Sequence, residues 1–145
     1  MVHALVECWR VLRGDGRLID LRPHVSGWPV EIVSPDTRIL VGQLDDKAGI
    51  RDDIAADIAI SKAIRRGWFE VENEAFFEYA YYWNSVDEMN AYIETEWSNL
   101  VAVQGNVLSE ARRLVQLTSE PVQIRIRRTM LIGSYRKLKA RGRTR

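Results

Sequence analysis

The stretch CWRVLRGDGRLIDLRP, residues 8–23, reads as the end of a helix, a tight turn and a strand. Leu5, Cys8, Trp9 and Leu12 recur at i, i+3, i+4 and i+7, one face of a helix, while Glu7, Arg10 and Arg13 fall off that stripe. Gly14-Asp15-Gly16 stops the helix, since glycine reaches the left-handed conformation that closes one and aspartate tolerates it. Leu18, Ile19 and Leu21 alternate too little for a half-exposed strand. Residues 17–21 are therefore expected to be buried on both faces, as a central strand is. Pro23 removes a ladder donor and ends the strand.

Two short strands, 30–33 and 38–44, flank Ser34-Pro35-Asp36-Thr37, a turn by its chemistry, and predict a β-hairpin. After a loop at 45–49, residues 52–66 have helical spacing, with Ile54, Ile58, Ile60 and Ile64 on a broad apolar face and Gly67 placed as a cap. Residues 69–83 alternate as a strand. Phe69, Val71, Ala75, Phe77, Tyr79, Tyr81 and Trp83 share the expected core face, and Glu70, Glu72, Glu74 and Glu78 the other. Ser85 with Glu88 forms a capping box before a helix whose inner face is Val86, Met89, Ile93 and Trp97. A further helix over 106–118 turns Leu108, Ala111 and Val115 inward, and 121–135 closes as a long strand. There Val122, Ile124, Ile126, Met130 and Ile132 share one face, and Gln123, Arg125 and Arg127 the other. Glutamates on one long strand and arginines on the other predict that the two pair antiparallel, each facing charge pair contributing roughly 0.2–1 kcal/mol.

The 145 residues suit a single domain over 1–135. No apolar run nears the roughly 20 residues of a membrane span, so no membrane association is expected. The start enters an amphipathic pattern directly, so no secretory leader is expected. The lone Cys8 has no disulfide partner and falls on the apolar stripe, which points to core packing and a cytoplasmic location. Net charge is +1, yet Arg136, Lys137, Lys139, Arg141, Arg143 and Arg145 all lie in the last ten residues. Without those six of the 21 basic residues, 15 face 20 acidic ones, so the body carries −5 and the tail +6. Residues 136–145 are expected to be a basic, flexible tail, through which nucleic acid is a conceivable partner.

The order helix, glycine-containing turn, strand, connector helix, long strand, two helices, long strand resembles the C-terminal half of a class I S-adenosylmethionine-dependent methyltransferase. In that family a helix ending in a pattern like E-x-x-R-V-L-[KR]-P-G-G-x-L leads into the fifth strand. Glu7, Arg10, Val11, Leu12, Arg13, Gly14, Asp15, Gly16, Arg17 and Leu18 stand in those places here, with Gly14-Asp15 replacing the usual Pro-Gly. The resemblance implies an α/β (or α+β) fold: a partial Rossmann-like sheet, a C-terminal antiparallel strand pair, helices packed on it, and a hairpin insertion near 30–44. It also implies that the cofactor-binding half is missing. No glycine-rich strand–turn–helix occurs, and Gly14-Asp15-Gly16 follows a helix and precedes a strand, the reverse of the order such a turn needs.

The resulting expectation is a methyltransferase-like fragment with no cofactor site of its own and no residue assignable to catalysis. It is part of a split or truncated enzyme, or a non-catalytic remnant, and alone it methylates nothing. S-adenosylmethionine enters only if a partner supplies the other half. The open side of strand 17–21 then calls for a homodimer or a second polypeptide to complete the sheet. The alternative is an independent small-molecule or protein binding module without catalysis. Substrate-binding candidates are Asp20, Arg22 and His24 at and beyond the carboxyl end of the strand, where ligands gather in open α/β sheets, with Trp28 as an aromatic wall. Phe76 and Tyr82, on the glutamate face, are candidates for a partner or ligand surface. His3 and His24 lack partners at metal-ligand spacing, and Asp45, Asp46, Asp52, Asp53 and Asp57 lack the order of a calcium loop, so no metal site is expected.

Overall fold

In the computed structural model, which describes residues 2–47 and 49–139, the chain runs α1 (Val2–Val11), β1 (Arg17–Pro23), β2 (Trp28–Val33), β3 (Arg38–Asp46), α2 (Gly49–Arg65), β4 (Phe69–Trp83), α3 (Val86–Glu96), β5 (Val101–Val103), α4 (Val107–Leu117) and β6 (Gln123–Lys137). Among the described residues this is a mixed α/β chain of four helices and a six-stranded antiparallel sheet. Hydrogen bonding orders the strands β1-β6-β2-β3-β5, with β4 also on β6. The hairpin expected over 30–44 forms as β2 and β3 and joins the sheet through β6, Val30 opposite Ile126 and Ile32 opposite Ile124. The long strands β4 and β6 pair as expected, although of the arginines on the expected face only Arg127 meets a β4 glutamate, while Arg125 holds Glu31 of β2. Arg136 meets Glu70, Ser134 meets Glu72, Arg127 meets Glu78 and Gln123 meets Asn84, in antiparallel order.

Chain length suggests one domain, whereas the residues cluster as two compact units: Met1–His24, Arg51–Phe77 and Met130–Arg145 in the first, Val25–Ile50 and Glu78–Thr129 in the second. In the first, Leu5, Ala59, Ile60, Ala63, Phe69 and Tyr135 form the core, with Cys8, Trp9, Leu12, Leu18 and Trp68 packed against it. Cys8 thus packs as its place on the α1 stripe requires. Gly67, at φ +70°, closes α2 as expected. The 14–16 turn works differently from the sequence reading, because Gly67 is the only positive-φ residue among those described. Glycine at 16 eases a close approach: a Cβ there would stand 3.1 Å from Leu12 Cβ and from the Arg13 carbonyl oxygen.

Three further expectations change in this unit. Strand β1 is not buried on both faces, since Ile19 and Leu21 are 57% and 58% exposed. Their side of the strand is open, while Leu18 on the other side joins the core. On α2, Ile54 and Ile58 are exposed, and the buried stripe is Ala56, Ala59, Ile60 and Ala63, three of the four being alanine. Finally, Arg136 and Lys137 belong to β6 and not to a tail; Lys137 Nζ donates to the Leu12 carbonyl at 2.6 Å. Residues 140–145 lie outside the described residues.

Tyr135 lies across Gly133: a Cβ on Gly133 would stand 2.5–2.7 Å from the Tyr135 hydroxyl and ring carbons. The ring is fully buried and its hydroxyl donates to Glu74 Oε1 at 2.7 Å, so it has no free direction in which to yield. Gly133→Ala is therefore expected to destabilise the protein by about 1–3 kcal/mol, an overpacking cost. Denaturant melts with wild-type midpoint and slope would contradict this.

In the second unit Val30, Ile32, Leu44, Val86, Met89, Ile93, Trp97, Val101, Val107, Ala111, Ile124 and Ile126 make the core. Helix α3 begins on the expected cap: Ser85 Oγ accepts from Glu88 N–H at 3.1 Å, and Glu88 Oε2 accepts from Asn84 N–H at 3.0 Å. Strand β5, absent from the sequence reading, pairs with the end of β3. On β4 the expected core face is mostly open. Phe69 is buried and Tyr81 and Trp83 pack on the second core, but Val71, Phe77 and Tyr79 are exposed. Along β6 the buried set shifts from even (Ile124, Ile126) to odd (Leu131, Tyr135), so Ile132 is exposed where the unbroken alternation puts it inside.

Candidate functional site

Two of the four substrate-binding candidates come together. Asp20 and Arg22, two apart on β1, point to the same face, and Arg22 Nε donates to Asp20 Oδ2 at 2.9 Å. Helix α2 brings Asp57, which accepts from Arg22 Nη2. Asp20 and Arg22 line a cavity of about 310 Å³ with Leu5 of α1 and Asp52, Asp53, Ala56 and Ile60 of α2. Its wall is apolar where Leu5, Ala56 and Ile60 meet and acidic at the start of α2, where carboxylates suit the helix dipole.

Burial by itself would lower the Arg22 pKa, but the hydrogen bonds and charges of Asp20 and Asp57 outweigh it and hold the guanidinium above its ordinary value. Arg22 therefore stays cationic, and its Nη1 is buried without a hydrogen-bond partner. Tyr135 belongs to the same unit. Burial first, then the Glu74 hydrogen bond and the charges of Glu74 and Asp20, push its pKa well up, so the phenol remains a donor. Proton transfer needs a group whose pKa lies near the working pH. The shifts at Arg22 and Tyr135 both move away from neutrality.

The other two candidates are elsewhere. His24 lies just past β1 with its ring edge-on to Phe76, centroids 4.9 Å apart, and does not line this cavity. Trp28 belongs to the second unit and is buried there. Its Nε1 donates to Asp46 Oδ2 at 2.9 Å, the Arg128 guanidinium sits 4.3 Å from its ring centroid, and Trp97 packs edge-on against it. It is a core residue and not a wall of the cavity. Tyr82, the other surface aromatic singled out, lines a wider groove of about 940 Å³ in the second unit with Arg38, Asn84, Gln123 and Arg125. Phe76 is exposed.

Asp52, Asp53 and Asp57 are considered in the sequence only as part of an acidic run without calcium-loop order. A signal for their role existed: Asp53 and Asp57, four apart, interrupt the apolar stripe that continues through Ala56 and Ile60. Asp46 serves Trp28 and the Gly49 amide instead. Among the described residues no three His, Cys, Asp or Glu side chains converge as a metal-ligand set.

Fold and cavity together define a mixed α/β protein with an antiparallel sheet and a small, acidic-walled cavity under its first strand. No family model, no curated protein and no solved structure matches the chain.

Proposed function

We propose that this chain is the C-terminal half of a class I S-adenosylmethionine-dependent methyltransferase-like domain, with a partial Rossmann-like sheet. It acts as one part of a split or truncated enzyme, or survives as its non-catalytic remnant. The observation that carries this reading is β1. Among the described residues β1 pairs with β6 alone, and its Ile19 and Leu21 are exposed. An unpaired edge beside an exposed apolar face calls for another chain. The first unit adds support: α1 leads through the 14–16 turn into β1, and β6 lies between β1 and β4 and antiparallel to both.

S-adenosylmethionine does not fit the residues described. The connections from strand to helix contain at most one glycine each, Gly49 before α2 and Gly105 before α4, and neither forms a glycine-rich turn over a helix start. The Asp20–Arg22 cavity favours the second reading, a small-molecule binding module without catalysis, and the two are separable. Light scattering on the eluting protein is expected to show a dimer or a complex with a second polypeptide, and Ile19→Lys with Leu21→Lys is expected to break it. A wild-type chain that stays monomeric at high concentration overturns the half-domain reading. Tight S-adenosylmethionine binding by the isolated chain, measured by calorimetry, overturns the absence of a cofactor seat.

A further inference from the structure

On the first unit a hollow of about 750 Å³ is lined by Trp9, Ile64, Arg65, Arg66, Gly67, Trp68, Leu138 and Lys139. Three pieces of chain are fastened together to form it. Trp9 Nε1 donates to the Leu138 carbonyl at 3.1 Å, Leu138 N–H donates to the Trp68 carbonyl at 2.9 Å, and Trp68 N–H donates to the Ala63 carbonyl at 3.1 Å. Both indoles are half-buried, so the ring positions are set by packing and not by solvent.

The charge of the lining is one-sided. Arg65, Arg66 and Lys139 are all cationic, no carboxylate lines the hollow, and among the described residues none of the three forms a salt bridge. Elsewhere on the chain most arginines are paired: Arg17, Arg22, Arg113, Arg125, Arg127 and Arg136 each hold an acid. The C-terminal end of α2 contributes about half a negative charge, which three cations exceed. Cations also already lie over the rings, Arg66 at 5.1 Å from the Trp68 centroid and Lys137 at 4.8 Å from that of Trp9. In sequence, Lys139 leads on to Arg141, Arg143 and Arg145.

Fixed indoles beside cations that hold no carboxylate match a ligand that carries a flat ring and a phosphate. We propose that this hollow binds a nucleotide, either free or as part of a single-stranded nucleic acid, the base stacking on an indole and the phosphate meeting Arg65, Arg66 and Lys139. Base stacking on aromatic side chains tolerates any sequence, because every base has a π-face. A bare polyanion would use the cations and ignore the rings, and that difference is testable.

The test uses the full chain and a fluorescently labelled 20-nucleotide oligo(dT), read by anisotropy. Affinity is expected to weaken about 20-fold between 50 and 200 mM salt, the single-strand slope for three phosphate contacts. Arg65→Glu with Arg66→Glu, both at exposed positions, should weaken binding at least 10-fold while far-UV circular dichroism is unchanged. Trp68→Leu should weaken oligo(dT) but not heparin, and Trp68→Phe should restore it. Competition by thymidine monophosphate at micromolar concentration identifies the free nucleotide as the ligand, and competition by oligomers alone identifies the single strand. The proposal is overturned if oligo(dT) does not bind. It is equally overturned if heparin or phosphatidylserine vesicles bind as well and Trp68→Leu changes nothing, or if a chain ending at Lys139 loses all binding while the double arginine variant retains it.

Discussion

Replacing Glu31 with alanine is expected to destabilise the protein by about 3–5 kcal/mol, the cost of leaving a buried charge without its partner. Glu31 is 3% exposed and sits directly opposite Arg125 across the β2–β6 pair. Its Oε2 accepts from Arg125 Nε at 2.8 Å and Nη2 at 2.5 Å, and its Oε1 from Arg127 Nε at 3.2 Å. Arg125 is itself buried, so Glu31→Ala leaves a largely desolvated guanidinium without its carboxylate. Replacing both Glu31 and Arg125 with leucine should recover most of the loss, because no charge is then left unpaired.

The same pair sets an acid limb. Burial alone would raise the Glu31 pKa, but hydrogen bonds from Arg125 and Arg127 and their charges outweigh it, and the carboxylate is held below its ordinary value of 4.5. A carboxyl with a depressed folded pKa stabilises fully above its unfolded pKa, and that contribution is lost as pH falls through the folded one. Urea melts from pH 7 to pH 2 should therefore show the gap between wild type and Glu31→Gln closing below about pH 4.5. A pH-independent gap, or Glu31→Ala melting within 1 kcal/mol of wild type, would refute this account.

Trp97→Ala is expected to cost about 3–5 kcal/mol, the range for truncating a large aromatic in a packed core. Trp97 is buried beneath four rings that meet it at steep angles: Trp28, Tyr81, Trp83 and Tyr92, with centroids 4.7–5.9 Å away. Edge-to-face pairs add to the area they bury, so one truncation removes several favourable contacts at once. Tyr92→Ala should cost clearly less, since Tyr92 is only partly buried. Guanidinium melts followed by near-ultraviolet circular dichroism report both the stability and the aromatic packing. Equal losses at Trp97 and Tyr92 would show that the ring cluster has no centre.

Of the candidate site, half was legible. Asp20 and Arg22 were identifiable because alternation puts them on one face near a strand end, and the cavity does lie there. Where its acidic wall sits was not, because the break in the α2 stripe marks Asp53 and Asp57 without saying what they face, and only the seating of α2 brings Asp52 and Asp53 to the cavity and Asp57 to Arg22. Trp28 misled for a related reason. Nearness in sequence to His24 says nothing about a side chain that the β2–β3 pair carries into another core.

What the amino-acid sequence determined by itself is the element inventory and the partnership of the long strands. Helical and alternating periods, the Ser85 cap, the Gly67 stop and the Glu and Arg faces of β4 and β6 are local patterns, readable without neighbours. Tertiary structure alone decided which apolar residues are covered. Ile19, Ile54, Ile58, Val71 and Ile132 satisfy the pattern of a buried face yet stand exposed, since burial needs something packed opposite. It also decided β5, too short at three residues to carry a period, and the sealing of Glu31 and Arg125 inside the second unit. The opening stretch shows both sides: its helix, turn and strand are written in residues 8–23, while the exposure of Ile19 and Leu21 on one face of β1 emerges only from what packs against it.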